Sequence, residues 1–388
     1  MKGISFASER ITNVTDVPKD LKEFKPCNRS LWKNSSSKNW DDWVWQLKHR
    51  ITDLSQIRDS VDWLKLEEPF NVSIRNTRLK FAVTPYFLCL IDPMNPNCPI
   101  KKQVIPSTHE SKFSPQEFDD PCNEQKYSPV SNLVHRYPDR VLLLVTNQCA
   151  TYCRFCTRSR MVSHGRHVND LSLQIEYIRK NKNIRDVLIS GGDPLILSDT
   201  RLDQILSQIR RIKHVEILRI GTRVPIFLPQ RITTNLCNVL KAYHPIYINV
   251  HINHPNELTL ESKLALEKLA DAGVPLGSQT VLLKGINDDP QIMMALVHKL
   301  LICRVKPYYL YHCDFVKGSS HFRSNIETGI NIINQLRGFT TGFGVPEFVI
   351  DFPGGGGKVI IGSNKSLIIK NKTLETENYE HKKVYCPI

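Results

Sequence analysis

The feature that most constrains this chain is a rhythm that begins at Arg140. Short β-rich runs recur at 141–146 (VLLLVT), 186–190 (DVLIS), 216–222 (EILRIGT), 246–252 (IYINVHI), 274–283 (VPLGSQTVLL) and 304–312 (RVKPYYLYH). Between them lie stretches with apolar residues at helical spacing, at 171–180, 202–212, 260–273 and 290–301. Six β/α units in succession predict parallel strands joined by crossover helices. A closed eight-unit barrel takes about 250 residues, so the fold class is α/β, a partial (β/α)6-type barrel. A seventh strand, EFVIDF at 347–352, precedes PGGGGK.

Three parts are expected: a helical N-terminal region and connector over 1–135, the barrel core over 136–346, and a short C-terminal extension over 347–388. In the first, Trp40, Trp43, Trp45 and Leu47 lie in a helical segment, and a second helical stretch covers Leu54 to Leu66. Pro85, Pro93, Pro96, Pro99 and Pro106 then punctuate an irregular connector. In the third, SLIIK at 366–370 reads as an added strand.

No apolar run among the 388 residues approaches the ~20 that a spanning helix needs. The N-terminus, MKGISFASER, has no apolar core of a secretory signal. The expectation is a cytoplasmic protein with no membrane partner. The net charge is +14, from 52 Lys+Arg against 38 Asp+Glu, which suggests nucleic acid, an anionic surface or an acidic ligand. Eleven cysteines are an odd number, so complete pairing within one chain is impossible. In a reducing compartment, clustered cysteines point to metal ligation or catalysis.

Cys149, Cys153 and Cys156 form C-x3-C-x2-C directly after the first core strand. In a β/α barrel that is the mouth where active sites form. Three thiolates are one ligand short of a closed tetrahedral zinc site or a fully ligated iron–sulfur cluster. A cluster with an open position is one reading; zinc completed by His164 or His167 is another. Lys358 follows Gly354 to Gly357. A phosphate P-loop fails here, because no Ser or Thr follows the lysine. A lysine that bonds an aldehyde cofactor and a lysine in a plain surface turn both remain open.

The cysteine segment, with Phe155 before its last cysteine, resembles the radical S-adenosylmethionine superfamily. There three cysteines hold a [4Fe-4S] cluster, and S-adenosyl-L-methionine completes the fourth iron. Gly191, Gly192 and Asp193 in ISGGDPL resemble the superfamily's cofactor-binding glycine element. From about Asp92 to Lys358 the chain closely resembles the lysine 2,3-aminomutase family, which also carries pyridoxal 5′-phosphate. The segments that carry this are DPMNPNCPIKKQVIP, HRYPDRVLLLVTNQCATYCRFCTRSR, LISGGDPL, LRIGTRVP, NVHINHPNEL, VPLGSQTVLLKGIND, KPYYLYHCD and LRGFTTGFGVPEFVIDFPGGGGK.

The resemblance implies roles residue by residue. Lys358 carries the pyridoxal phosphate as an aldimine, with Arg136, Tyr137 and Gln279 around that cofactor. Arg158 pairs with the substrate α-carboxylate, as its planar fork suits. Asp314 and Asp351 grip the distal ammonium of lysine, an acidic pair that glutamate-specific relatives lack. His251 lies near S-adenosylmethionine, and Tyr311 is a further residue lining the site.

The implied reaction moves the α-amino group of L-lysine from C2 to C3 through a 5′-deoxyadenosyl radical, giving β-lysine. The implied partners are L-lysine, an external electron donor such as flavodoxin or ferredoxin, and further copies of the chain in a homo-oligomer, with no nucleic acid. Only Cys386 follows Lys358, so the C-terminal zinc site of some relatives is not expected. Alternatives are β-lysine synthesis for elongation-factor modification, a glutamate 2,3-aminomutase and a nucleic-acid-modifying radical enzyme.

Overall fold

The computed structural model describes residues 19–27, 32, 35–53, 79–162, 168, 170–362, 368–370, 373–377 and 382–387. The helix expected over 54–66 and both candidate zinc histidines, His164 and His167, lie outside the described residues.

One nine-stranded sheet runs in sequence order from Leu133–Tyr137 to Gly357–Ile360. Its parallel part is β2 (Arg140–Leu144), β3 (Asp186–Ser190), β4 (Ile217–Thr222), β5 (Ile246–His251), β6 (Leu276–Leu282), β7 (Val305–His312) and β8 (Glu347–Phe352). Helices Ser172–Lys180, Asp199–Arg210, Thr234–Lys241, Leu260–Asp271, Pro290–Ile302 and Ile326–Leu336 make the six crossovers. The partial barrel is therefore the architecture, with strands in the expected places.

Both edges differ from a simple β/α run. β1 (Leu133–Tyr137) pairs antiparallel with β2, and β9 (Gly357–Ile360) pairs antiparallel with β8. β1 reads in sequence as a polar motif, and glycines hide the start of β9. These two strands form the sheet's edges and pair the outer sides of β2 and β8. The SLIIK segment does form a strand, Ile368–Lys370. It belongs to a separate antiparallel sheet with Thr373–Glu377 and Lys383–Pro387.

Alternation along the strands separates two faces. Val141, Leu143, Val187, Ile189, Leu218, Ile220, Ile248 and Val250 are buried and belong to the main core. Each such side chain contributes about 1.5–3 kcal/mol on burial. Their neighbours on the other face, among them Arg136, Ser190, Gly221, His251, Gln279, Tyr311, Asp351 and Lys358, line one cavity. Residues from every strand of the sheet share that cavity, so the sheet curls around it.

The N-terminal region packs on the barrel. Trp40, in the helix Ser37–Asp41, is fully buried, and Gln46 ties it to the connector by donating to Trp40 O at 2.9 Å and accepting from Tyr86 N at 3.0 Å. Two of the prolines start helices rather than break them. Pro85 opens Pro85–Leu88, capped by Thr84, and Pro99 opens Pro99–Val104. Among the described residues, no helix is long and apolar enough to cross a membrane.

Candidate active site

The site residues implied by the family resemblance all line the same cavity, of about 870 Å³. Arg136 and Tyr137 stand on β1, Gln279 on β6, Asp351 on β8 and Lys358 on β9. Cys149, Cys153, Cys156 and Arg158 come from the loop after β2; Gly191, Gly192 and Asp193 follow β3; His251 ends β5; and Asp314 follows β7. The strand-end positions gather side chains as far apart in sequence as Tyr137 and Lys358, 221 positions.

The three thiols are free, and all three are pushed up by burial. Cys149 is raised further by Asp193 and by the other two thiols, and Cys156 reaches about 12. A positive centre would favour the ionised form that burial and their mutual repulsion oppose. Among the described residues no three His, Cys, Asp or Glu side chains gather on one point as ligands of a single ion do. Three cysteines from one loop are the kind of donor set that would hold an iron–sulfur cluster.

Beside the thiols, Gly191 and Gly192 press against the strand that leads into the cysteine loop. A Cβ would come within 2.2 Å of Thr146 O at Gly191 and 2.1 Å of Gln148 O at Gly192. Only glycine permits that approach. Asp193 is spent on structure as well: Oδ1 accepts from Thr222 Oγ1 at 2.7 Å and Leu195 N at 3.1 Å, and Oδ2 from Arg223 N at 2.7 Å. His251 is held well below the usual imidazole range by burial and by Arg223, so it is neutral at pH 7. Its Nε2 lies 3.0 Å from Asn253 Oδ1, an oxygen that also accepts from Val281 N, so Nε2 donates and Nδ1 is the acceptor.

At the other end, Lys358 is the register partner of Asp351 across the β8–β9 pair. Its Nζ donates to both Asp351 oxygens, at 3.0 and 2.9 Å, and stands 4.8 Å over the Tyr311 ring. Its backbone N donates to Tyr137 Oη at 3.2 Å. The glycine run lets Arg136 lie flush on this turn. Gly355 and Gly357 have φ of +86° and +87°, and a Cβ would meet the guanidinium at 2.8 and 3.0 Å. Arg136 also stacks on Tyr127 at 4.8 Å, and its Nε is buried with no hydrogen-bond partner. A buried guanidinium N–H without an acceptor fits a phosphate oxygen.

Arg158 is held by a residue that sequence reasoning missed. Glu124 Oε1 accepts from its Nε at 2.9 Å and pairs with its Nη2 at 2.8 Å, and Oε2 accepts from Arg160 at 2.8 Å. Burial pushes the Glu124 carboxyl up, but Arg158 and Arg160 outweigh it and hold it below its usual range. Asp314 accepts from Thr157 Oγ1 and is raised to about 6, chiefly by burial and then by the Asp351 charge. Lys358, Arg158 and Thr157 oppose that rise. Cys122 lines the same pocket, its thiol pushed far up by burial and then by Asp314 and Asp351. The result is a partly buried acidic pair, Asp351 on Lys358 and Asp314 on Thr157, facing an arginine anchored by Glu124.

A family model described as the Radical SAM superfamily matches residues 143–297, and one described as Lysine-2,3-aminomutase matches residues 333–382. The L-lysine 2,3-aminomutase of Fusobacterium nucleatum subsp. nucleatum is 48% identical, across 92% of this chain and 88% of that one. That of Clostridium subterminale is also 48% identical, across 88% and 84%. The chain belongs to the lysine 2,3-aminomutase family.

A glutamate 2,3-aminomutase of Clostridioides difficile is 46% identical to this family member, across 84% of this chain and 77% of that one. Overall identity thus barely separates the two substrates, and the cavity residues must. The family's cofactors are a [4Fe-4S] cluster, S-adenosylmethionine and pyridoxal phosphate. The three thiols fit the first, and Lys358 with the orphaned Arg136 N–H fits the last.

Proposed function

We propose that this enzyme is an L-lysine 2,3-aminomutase, an isomerase that moves the α-amino group of L-lysine to C3. The observation that carries the substrate is the pair Asp314 and Asp351 on one cavity wall with Arg158 and Lys358. Asp351 is paired with Lys358 Nζ at 2.9 Å; once that nitrogen is committed to the cofactor, the two acids lack a cation and favour a ligand with a distal ammonium over one with a distal carboxylate.

In this reading Cys149, Cys153 and Cys156 hold the cluster, and Gly191, Gly192, Asp193 and His251 flank S-adenosylmethionine. Arg136 takes the phosphate of pyridoxal phosphate, Tyr137 and Gln279 border it, and Lys358 Nζ is the amine that bonds it. When bound, these cofactors supply one-electron chemistry that removes and returns a substrate hydrogen, and a conjugated system that carries the migrating nitrogen. The chain's own residues orient the substrate. Arg158, fixed by Glu124, offers two parallel N–H groups to the α-carboxylate. Asp314 and Asp351 fix the far ammonium, so C2 and C3 are held between the two anchors.

The barrel, 136–346, carries the thiols and the carboxylate anchor in this scheme, 347–388 carries the lysine, and 1–135 braces them. An external donor such as flavodoxin or ferredoxin supplies the electron, and the enzyme works in the cytoplasm as a homo-oligomer. Free cysteines support the compartment, and the family resemblance supports the donor and the assembly. The test is incubation of the anaerobically reconstituted protein with S-adenosylmethionine, a reductant and either L-lysine or L-glutamate, followed by product identification. β-Lysine from lysine alone is expected; conversion of glutamate alone would assign the other specificity.

A further inference from the structure

Arg223 follows directly on β4, and its side chain is 5% exposed. Its two terminal nitrogens face different partners. Nη1 donates to Cys153 Sγ at 2.9 Å. Nη2 donates to Glu257 Oε2 at 2.9 Å and to Gln103 Oε1. The guanidinium plane lies 4.3 Å from the Phe227 ring centroid, which fixes its rotation. Its backbone N donates to Asp193, so the same residue stitches the glycine element to the cysteine loop.

The counter-charge is fixed as firmly. Glu257 is fully buried, and its Oε1 accepts from Asn253 N at 3.1 Å, His254 N at 2.9 Å and Gln103 Nε2 at 2.9 Å. Asn253 in turn meets both Gln103 Oε1 and His251 Nε2 at 3.0 Å. A guanidinium needed only to neutralise Glu257 would set both nitrogens on that carboxylate. Here one arm is anchored and the other is aimed at a sulfur.

We infer that Arg223 is a tuning and positioning residue for the cluster on Cys149, Cys153 and Cys156. This rests on reading those thiols as cluster ligands. An N–H donated to a ligand sulfur, backed by a buried positive charge, stabilises the extra electron of the reduced cluster and raises its potential. The electron comes from a low-potential one-electron donor; the donor is oxidised by one electron and the cluster reduced by one. No proton or covalent bond changes at Arg223. Glu257 pulls the potential the other way and keeps the guanidinium in place.

The test is a redox titration followed by electron paramagnetic resonance, on anaerobically purified, iron-loaded protein without S-adenosylmethionine. In Arg223→Gln the reduced-to-oxidised ratio at the parent's midpoint should fall about tenfold, a shift of about 59 mV to more negative potential for one electron. Glu257→Gln should shift it to more positive potential, and Arg223→Lys should fall between parent and Arg223→Gln. Full iron content with the parent's potential in both the Arg223→Gln and Glu257→Gln variants overturns the inference. Should Arg223→Gln fail to retain iron, Glu257→Gln decides: a positive shift supports the inference and an unchanged potential overturns it. A parent protein that takes up no iron sinks the cluster reading instead.

Discussion

Asp351 and Lys358 face each other across the β8–β9 pair, with Lys358 Nζ 3.0 and 2.9 Å from the two carboxylate oxygens. One carboxylate thus partners the lysine read as cofactor-bearing and, in the proposed function, also holds the substrate ammonium. Asp351→Asn should lower kcat/KM for lysine by about 10–150-fold, the worth of a hydrogen bond to a charged group at ~1.5–3 kcal/mol. It should leave the covalently bound pyridoxal phosphate absorbance in place. Lys358→Ala should remove that absorbance entirely. A band that persists in Lys358→Ala would move the cofactor to another residue.

Asp314 gives a pH signature. Burial and the neighbouring Asp351 raise it to about 6. A substrate ammonium binds the ionised acid, so affinity is full above that value and falls as pH drops through it. KM for lysine should rise about tenfold per pH unit below pH ~6. Asp314→Asn should bind lysine weakly with a flat profile over the same range. Parallel profiles in the two proteins would remove Asp314 from substrate binding.

Glu124 aims Arg158 by accepting from Nε at 2.9 Å and pairing with Nη2 at 2.8 Å. Glu124→Gln should raise KM for lysine by about tenfold through loss of one charge-assisted contact. Competitive inhibition by 1,5-diaminopentane, which lacks the carboxylate, should be unchanged. Equal losses for both ligands would mean that Glu124 supports the whole cavity rather than the fork.

Gly355 tests the cofactor end. Alanine there meets a φ of +86° and a contact of 2.8 Å with both Arg136 and Tyr127. The strain is about 1–3 kcal/mol, and moving Arg136 relieves the contact. Pyridoxal phosphate affinity, read by absorbance titration, should fall about tenfold or more, whereas Gly354→Ala, with nothing within 4 Å but a φ of +68°, should lose less. Equal affinities in the two variants would contradict the Arg136 role.

The strands and their order were legible because β-branched and leucine residues alternate with polar ones on a sheet buried on one face. The cysteines and the glycine–lysine turn were legible because they are local spacings. What escaped the sequence are partnerships across long separations. Glu124 grips Arg158 from 34 positions away and Arg223 reaches Cys153 across 70, and no local pattern marks either. β1 escaped because two consecutive polar residues, His135 and Arg136, and a register irregularity between Val134 and Tyr137 break the apolar alternation of a strand. The helix Thr234–Lys241 escaped because it is only eight residues long, about two turns, too short for its apolar spacing to stand out.

The most direct measurement uses L-lysine labelled with ¹⁵N at the α-amino group. The reconstituted enzyme should give β-lysine with the label on C3, and unlabelled ammonia in the medium should not enter the product. Label left on C2 after full turnover, or a C3 amine drawn from the medium, would contradict an intramolecular amino shift held between Arg158 and the Asp314–Asp351 pair.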